Sequence, residues 1–325
     1  MKKKWIAVLV LLPLLVFTLW QFGEGMILDS VRRIPLWLVA LLAAMQFVTQ
    51  ALVNLFWHRV AMFAGLKISY MGMVYVNCQG SILDAITPGV KMGGEVTRAL
   101  RLKEIASCTG EEAASVVAVH KLFSFCGLLF FIVMSVTLLI GQIPFMGAIG
   151  AQIGLYSFFA LVFGVLLSLI LMPQKALGYI ERLKPARFRL ARSLQGLLRS
   201  LLKLMTEIRK DNRKWGLLIL LSFFMWFLYP VKLYIAAAQF MPGSNPVLVG
   251  AAAFVAYLVA LIPLFPGGLG GFEGSMTGLL AAQGFSVADA AVVTVLFRFV
   301  TFWLVFFVSG FIVLGYRLKM RFGAS

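Results

Sequence analysis

Carboxylates are scarce in this chain: 12 Asp and Glu stand against 29 Lys and Arg, and charged residues make up only 13% of the 325. Histidine is scarcer still, with His58 and His120 alone. The three cysteines (Cys78, Cys108, Cys126) form no CxxC and no even-numbered framework. No metal, haem, other cofactor or disulfide is therefore expected, and Cys78 and Cys126 read as packing residues. Walker loops, nucleophile elbows and dinucleotide fingerprints are also missing, which argues against nucleotide hydrolysis within the chain. Alternating apolar and polar segments of the kind that build a membrane β-barrel are absent too, since runs such as 124–140 and 216–227 are apolar on every face.

What is present is apolar: 62% of residues are hydrophobic, in runs of about twenty from end to end. The expected fold is an all-α polytopic membrane protein, a single membrane domain over 1–325. Met1-Lys2-Lys3-Lys4 followed by Trp5 to Trp20 resembles a signal peptide but lacks a small-residue cleavage site, so an uncleaved first helix over 5–22 is expected. The net charge of +17 is concentrated. Between Lys175 and Lys214 twelve Lys or Arg face three acids, a net of +9, which leaves +8 elsewhere. This marks a cytoplasmic loop rather than a nucleic-acid surface. Within it Leu190, Leu194, Leu197, Leu198, Leu201, Leu204, Met205 and Ile208 recur at helical spacing opposite Arg192, Arg199 and Lys203. A basic amphipathic connector over 173–213 is expected, attracted to anionic inner-leaflet lipid across 175–214.

Sliding the sequence on itself by 178 residues aligns Pro88-Gly89-Val90-Lys91-Met92-Gly93-Gly94-Glu95 with Pro266-Gly267-Gly268-Leu269-Gly270-Gly271-Phe272-Glu273. The same offset pairs Trp37 with Trp215, Asn54 with Lys232, Glu111 with Asp289, and His120 with Arg298. The first half is 1–140, with its repeat over 36–140; the second is 141–316, with its repeat over 214–316. Helices over 36–58 and 214–239, 112–140 and 288–316, and 5–22 and 150–172 give about six full crossings. The segments around Pro-Gly are too polar or too broken to face lipid, and are expected as two re-entrant helical hairpins. Three crossings and a hairpin per half make the repeat inverted, as in many transporters. Positive-inside placement puts both termini in the cytoplasm of a cell-membrane protein, with Arg32-Arg33 as the exception.

Depth can be compared from helical rise. With the outer surface near 284–288, Glu273 lies eleven residues along one arm and Arg298 ten along the next helix, each about 15 Å deep. A buried Glu273–Arg298 pair is the expected arrangement, lining a substrate path or pinning the hairpin. In the first half Glu95 has Arg98 one turn away, and His120 or Lys121 stands in the place of Arg298. Lys91, Arg98 and Arg101 share a face suited to a lipid phosphate. Asp84, near the tip, is a secondary candidate. Gly93, Gly94, Gly267, Gly268, Gly270 and Gly271, with Pro88, Gly89 and Pro266, serve either close packing or backbone opened toward a ligand. Lys232 is expected to snorkel to the outer edge.

The stretch Thr87-Pro88-Gly89 to Gly93-Gly94-Glu95 to Arg98-Ala99, and Pro263 to Pro266-Gly267-Gly268-Leu269-Gly270 to Glu273 with Arg298 downstream, resembles the lysylphosphatidylglycerol synthase transmembrane region, or flippase-like domain family. The resemblance spans nearly the whole chain. It implies a polytopic domain that moves a modified lipid between leaflets. The synthases of that family carry a large soluble catalytic domain after the membrane part, so aminoacyl transfer is expected to have no seat in these residues. The expectation is a translocase for a polar-headed, anionic or aminoacylated lipid, with Glu95, Arg98, Glu273 and Arg298 on the path. The alternatives are the membrane portion of a phosphatidylglycerol lysyltransferase system, partnered by a separate soluble synthase, and a structural scaffold.

Overall fold

The computed structural model describes residues 30, 32–87, 92–142, 148–182, 188–262 and 268–322. The expected first helix over 5–22 lies outside them, as do Pro88, Gly89, Lys91, Pro266 and Gly267 of the two Pro-Gly motifs. Among the described residues the chain is helical throughout, without strands. We number the helices α1 (Leu36–Phe63), α2 (Tyr70–Ile86), α3 (Met92–Ile105), α4 (Gly110–Leu139), α5 (Ile149–Leu171), α6 (Pro173–Arg182), α7 (Arg189–Lys210), α8 (Asn212–Ala238), α9 (Pro246–Ala260), α10 (Gly271–Ala282), α11 (Val287–Arg298) and α12 (Leu304–Phe322). A π-helical turn over Phe299–Trp303 joins the last two.

Local chemistry sets the boundaries. Side-chain caps start α2 (Ser69), α8 (Asp211), α9 (Asn245, followed by Pro246) and α11 (Ser286). At α4, Thr109 and Glu112 form a reciprocal capping box. Gly284, at φ +98°, turns the chain between α10 and α11, a conformation that favours glycine.

Five helical stretches are long and apolar enough to cross a membrane: Leu36–Phe63, Gly110–Leu139, Ile149–Leu171, Asn212–Ala238 and Val287–Leu318. Helix α4 is the best buried of these, and α5 the least, with Phe159 and Ile170 as its buried residues. Two apolar cores result. One gathers the first part of α1, the end of α4, and α8 to α11 around Phe131, Phe254, Phe272 and Phe297. The other gathers the end of α1, α2, the start of α4, α7 and the start of α8 around Phe56, Trp57, Phe123 and Met205. Cys78 and Cys126 are free and buried, as packing residues are.

The connector is helical, as α6 and α7, but most of its apolar face is spoken for. Leu201, Met205 and Ile208 are buried, packed with α4 and the start of α8, while Leu194 and Leu198 stay exposed. Its apolar stripe thus packs onto α4 and α8 along its later turns.

Two expectations about charge need correction or completion. Lys232 does not snorkel: its side chain is fully buried between α1 and α8, hydrogen-bonded to Gln46 and Thr49. Side chains on a helix lean toward its N-terminus, and here that direction leads away from the nearer end of α8 and into the interior. The anomalous Arg33 is explained by pairing: it binds Asp289 in the first turn of α11, and Ser30 donates to the same carboxylate at 2.8 Å.

Candidate functional site

A cavity of about 260 Å³ lies between the two cores. Its wall takes Gln50, Val53 and Trp57 from α1, Ser81, Asp84 and Ala85 from α2, Glu95 and Arg98 from α3, and His120, Lys121, Ser124, Phe125 and Leu128 from α4. Facing these are Met225, Trp226 and Tyr229 of α8, Tyr257 and Ala260 of α9, Arg298, and Thr301, Phe302, Val305 and Phe306 around the π turn and α12. The first Pro-Gly region thus contributes Glu95 and Arg98 to this space, whereas the second contributes Gly268, and the charged group from the second half is Arg298 of α11; Glu273 is not on the wall and reaches the space only through Arg298.

On the second-half side, Arg298 Nε stands 3.1 Å from Glu273 Oε1, and the Arg298 residue is only 5% exposed. The guanidinium is held between two aromatic faces, 4.5 Å from the Phe272 ring centroid and 4.4 Å from that of Phe302. Glu273 Oε2 accepts from Gly270 N–H at 2.7 Å, so the same carboxylate also satisfies an orphan amide at the start of α10. The two helices of this arm have equal length, twelve residues each, and run antiparallel through the Gly284 turn. That symmetry brings the third residue of α10 beside the last of α11.

On the first-half side, Arg98 is the centre. Its Nη2 donates to Asp84 Oδ2 at 2.9 Å, and Nη1 is 3.4 Å from Glu95 Oε1. Lys121 Nζ donates to the same Glu95 oxygen at 2.9 Å. Lys121, and not His120, thus takes the role that Arg298 plays in the other half. The His120 ring instead stacks on Trp57 at 3.8 Å between centroids, and is 6% exposed with neither ring nitrogen hydrogen-bonded. Asp84 is brought into the centre of this cluster. Arg101 is not: it pairs with Glu104 on the exposed side of α3, so Arg98 and Arg101 do not share a face toward one ligand.

Glycines give these groups their room. A Cβ on Gly80 would collide with the Arg98 side chain, and one on Gly94 with the Asp84 carboxylate. Gly93 would strike Thr87 in the same way. In the second motif Gly268, at φ +68°, lies against Ala260, and Gly270 holds φ +83° where it offers its amide to Glu273. Of the two roles expected of the glycines, close packing is seen at Gly80, Gly93, Gly94 and Gly268, while the Gly270 amide is bound by the protein's own Glu273. Gly80 was invisible in the sequence because it precedes the motif by a turn and more and has no counterpart in the repeat.

The polar groups around the cavity are not all satisfied from within the protein. Asp84 Oδ1, Glu95 Oε2 and the two His120 ring nitrogens are buried without a hydrogen-bond partner, which is costly unless something enters to meet them. Chemically the site can hold a polar group with both donors and an anionic centre, beside an apolar wall suited to hydrocarbon.

Comparison with known proteins agrees with the resemblance read in the motifs. The family model described as the lysylphosphatidylglycerol synthase TM region matches residues 4–309. A UPF0104 membrane protein of Methanothermobacter thermautotrophicus is 25% identical over 298 residues, which cover 87% of this chain and 86% of the relative. A UPF0104 membrane protein of Pyrococcus horikoshii is 22% identical over 331 residues, covering 97% of this chain and 98% of its own length. With the family model matched over nearly its whole length, this chain belongs to the lysylphosphatidylglycerol synthase transmembrane-region family.

Proposed function

We propose that this chain is a lipid translocase that carries a polar-headed lipid, anionic or aminoacylated, between the leaflets of the cell membrane. One observation supports this above the others: charged groups from both parts of the chain, Asp84, Glu95, Arg98 and Lys121 on one side and Arg298 on the other, line one cavity that has apolar and aromatic walls on its remaining sides. A lipid in transit needs both surfaces at once, ions and hydrogen bonds for its head and hydrocarbon contact for its chains.

The order of helices supports the inverted-repeat reading. An offset of 178 carries α1 onto α8, α2 onto α9, α3 onto α10 and α4 onto α11 with α12. Helices α9 and α10, with 15 and 12 residues, are each shorter than the roughly 20 residues a crossing requires. Helices α2 and α3 have 17 and 14. Each pair is the length of a hairpin that enters and leaves on one side. If the apolar sequence over 5–22 supplies the third crossing of the first half, as its composition predicts, the hairpins approach the cavity from opposite faces of the membrane, and both termini lie inside.

Topology and activity can be tested in one set of vesicles. In a background without native cysteines, Gly141→Cys and Gly243→Cys are expected to react with an impermeant maleimide from outside, and Ser193→Cys only from inside. Reversed labelling at any of the three would contradict the inverted arrangement. With a phospholipid labelled on its head group, protein-containing vesicles should expose more than the outer-leaflet half of the label to an impermeant quencher. Quenching that stops at the level of protein-free vesicles would count against translocation.

A further inference from the structure

Lys232 is not on the cavity wall but packs against Tyr229, which is, and it differs from the charges of the site in having no carboxylate partner among the described residues. It is fully buried, Nζ donates to Gln46 Oε1 and to Thr49 Oγ1 at 3.0 Å, and it stands 4.2 Å from the Tyr229 ring centroid. All three partners are neutral: they solvate an ammonium without cancelling its charge. The other described charges of the site do cancel, Arg98, Lys121 and Arg298 against Asp84, Glu95 and Glu273, three of each sign, with His120 counted neutral. When protonated, Lys232 adds one positive charge beyond this balance, and an anion bound nearby favours that form over the neutral amine. Tyr229, which it touches, is on the cavity wall, and so is Gln50, one turn from Gln46.

An ammonium without a counter-charge in an apolar interior is costly, and its field reaches across one ring with little screening. We propose that Lys232 is the charge-selecting residue of the site: the bound head group supplies the missing negative charge, as a phosphodiester bearing hydroxyl groups and no amine. The hydroxyls follow from the unpartnered oxygens of Asp84 and Glu95, which call for donors, and from the neutral His120 ring, whose two nitrogens call for one donor and one acceptor, as a hydroxyl supplies both. An ammonium on the head group would also donate to them, but it would cancel the phosphate charge and leave Lys232 uncompensated. Only the identity of the ligand as a lipid rests on the translocase reading.

The test is lipid retention, which needs no transport. Protein purified from nanodiscs of equal phosphatidylglycerol and phosphatidylethanolamine is analysed by native mass spectrometry, with lysyl-phosphatidylglycerol as a third competitor. The wild type is expected to retain phosphatidylglycerol over either amine-bearing lipid by about tenfold, a Coulomb effect of ordinary size for this burial. Lys232→Met should bring the ratio near parity. Gln46→Glu, which sets a carboxylate beside Nζ, should do the same, and it keeps the test decisive if Lys232→Met does not fold. Parity in the wild type, or an unchanged ratio in either folded variant, would overturn the proposal. A wild type that selects phosphatidylglycerol yet moves no lipid would remove the translocase reading and leave the selectivity standing.

Discussion

Glu273→Gln or Arg298→Gln alone is expected to destabilise the protein by about 3–5 kcal/mol, because each leaves the other as an uncompensated buried charge. Changing both together should cost less than either. The pair is 3.1 Å apart with both side chains mostly enclosed, at 6% and 13% exposure, so little water is available to take over from a lost partner. The two losses are not equivalent. Removing the Glu273 charge also weakens the bond from Gly270 N–H, whereas Arg298→Gln removes a guanidinium from between two aromatic rings. Thermal unfolding in detergent, followed by size-exclusion fluorescence for the two single variants and the double, measures the coupling. A double variant as damaged as the sum of the singles would mean that the two groups do not interact.

A loss of similar size, about 3 kcal/mol, is expected for Arg98→Ala, for a different reason. Arg98 separates two carboxylates, Asp84 and Glu95, and once it is gone only Lys121, on Glu95, remains to offset them. Arg98→Lys should rescue little, since a single ammonium cannot fork between two carboxylates as a guanidinium does. Adding Asp84→Asn to Arg98→Ala should recover part of the stability. Gly80→Val, which would displace the Arg98 side chain, should destabilise in the same direction without removing any charge. Full stability of Arg98→Ala would show that Arg98 is solvated rather than bridging.

The contrast between these two clusters explains what was legible in the sequence. Apolar runs mark the long helices, and α1, α4, α5 and α8 begin and end within a few residues of the ranges read from them. The Glu273–Arg298 contact follows from helical rise alone, since one short turn separates two straight arms and residue counts translate into depth. Asp84 on α2 reaches Arg98 on α3, where side-chain direction depends on how the two helices pack, and a glycine at position 80 or 94 carries no direction of its own. Whether His120 or Lys121 meets Glu95 depends on the rotation of α4 about its axis. Adjacent residues on a helix point about a hundred degrees apart, and the aromatic pocket of Phe56 and Trp57 that claims His120 comes from α1. Lys232 misled for the same reason: its partners Gln46 and Thr49 lie 186 and 183 residues away, and a lysine near a helix end snorkels only if no polar groups wait inside. The π turn after Arg298 left no mark in composition, although it sets Phe302 on the guanidinium.

Structural and working roles of the central pair differ in one respect. A pair that only holds α10 to α11 needs mutual neutralisation, which two glutamines also provide; a pair that meets a lipid head needs its own charges. Glu273→Gln combined with Arg298→Gln, reconstituted into vesicles with a head-labelled phospholipid, separates them. The double variant is expected to fold and insert like the wild type and to leave the inner-leaflet label protected from quencher, at the level of protein-free vesicles. Label exposure equal to that of the wild type would contradict a translocation path through Glu273 and Arg298.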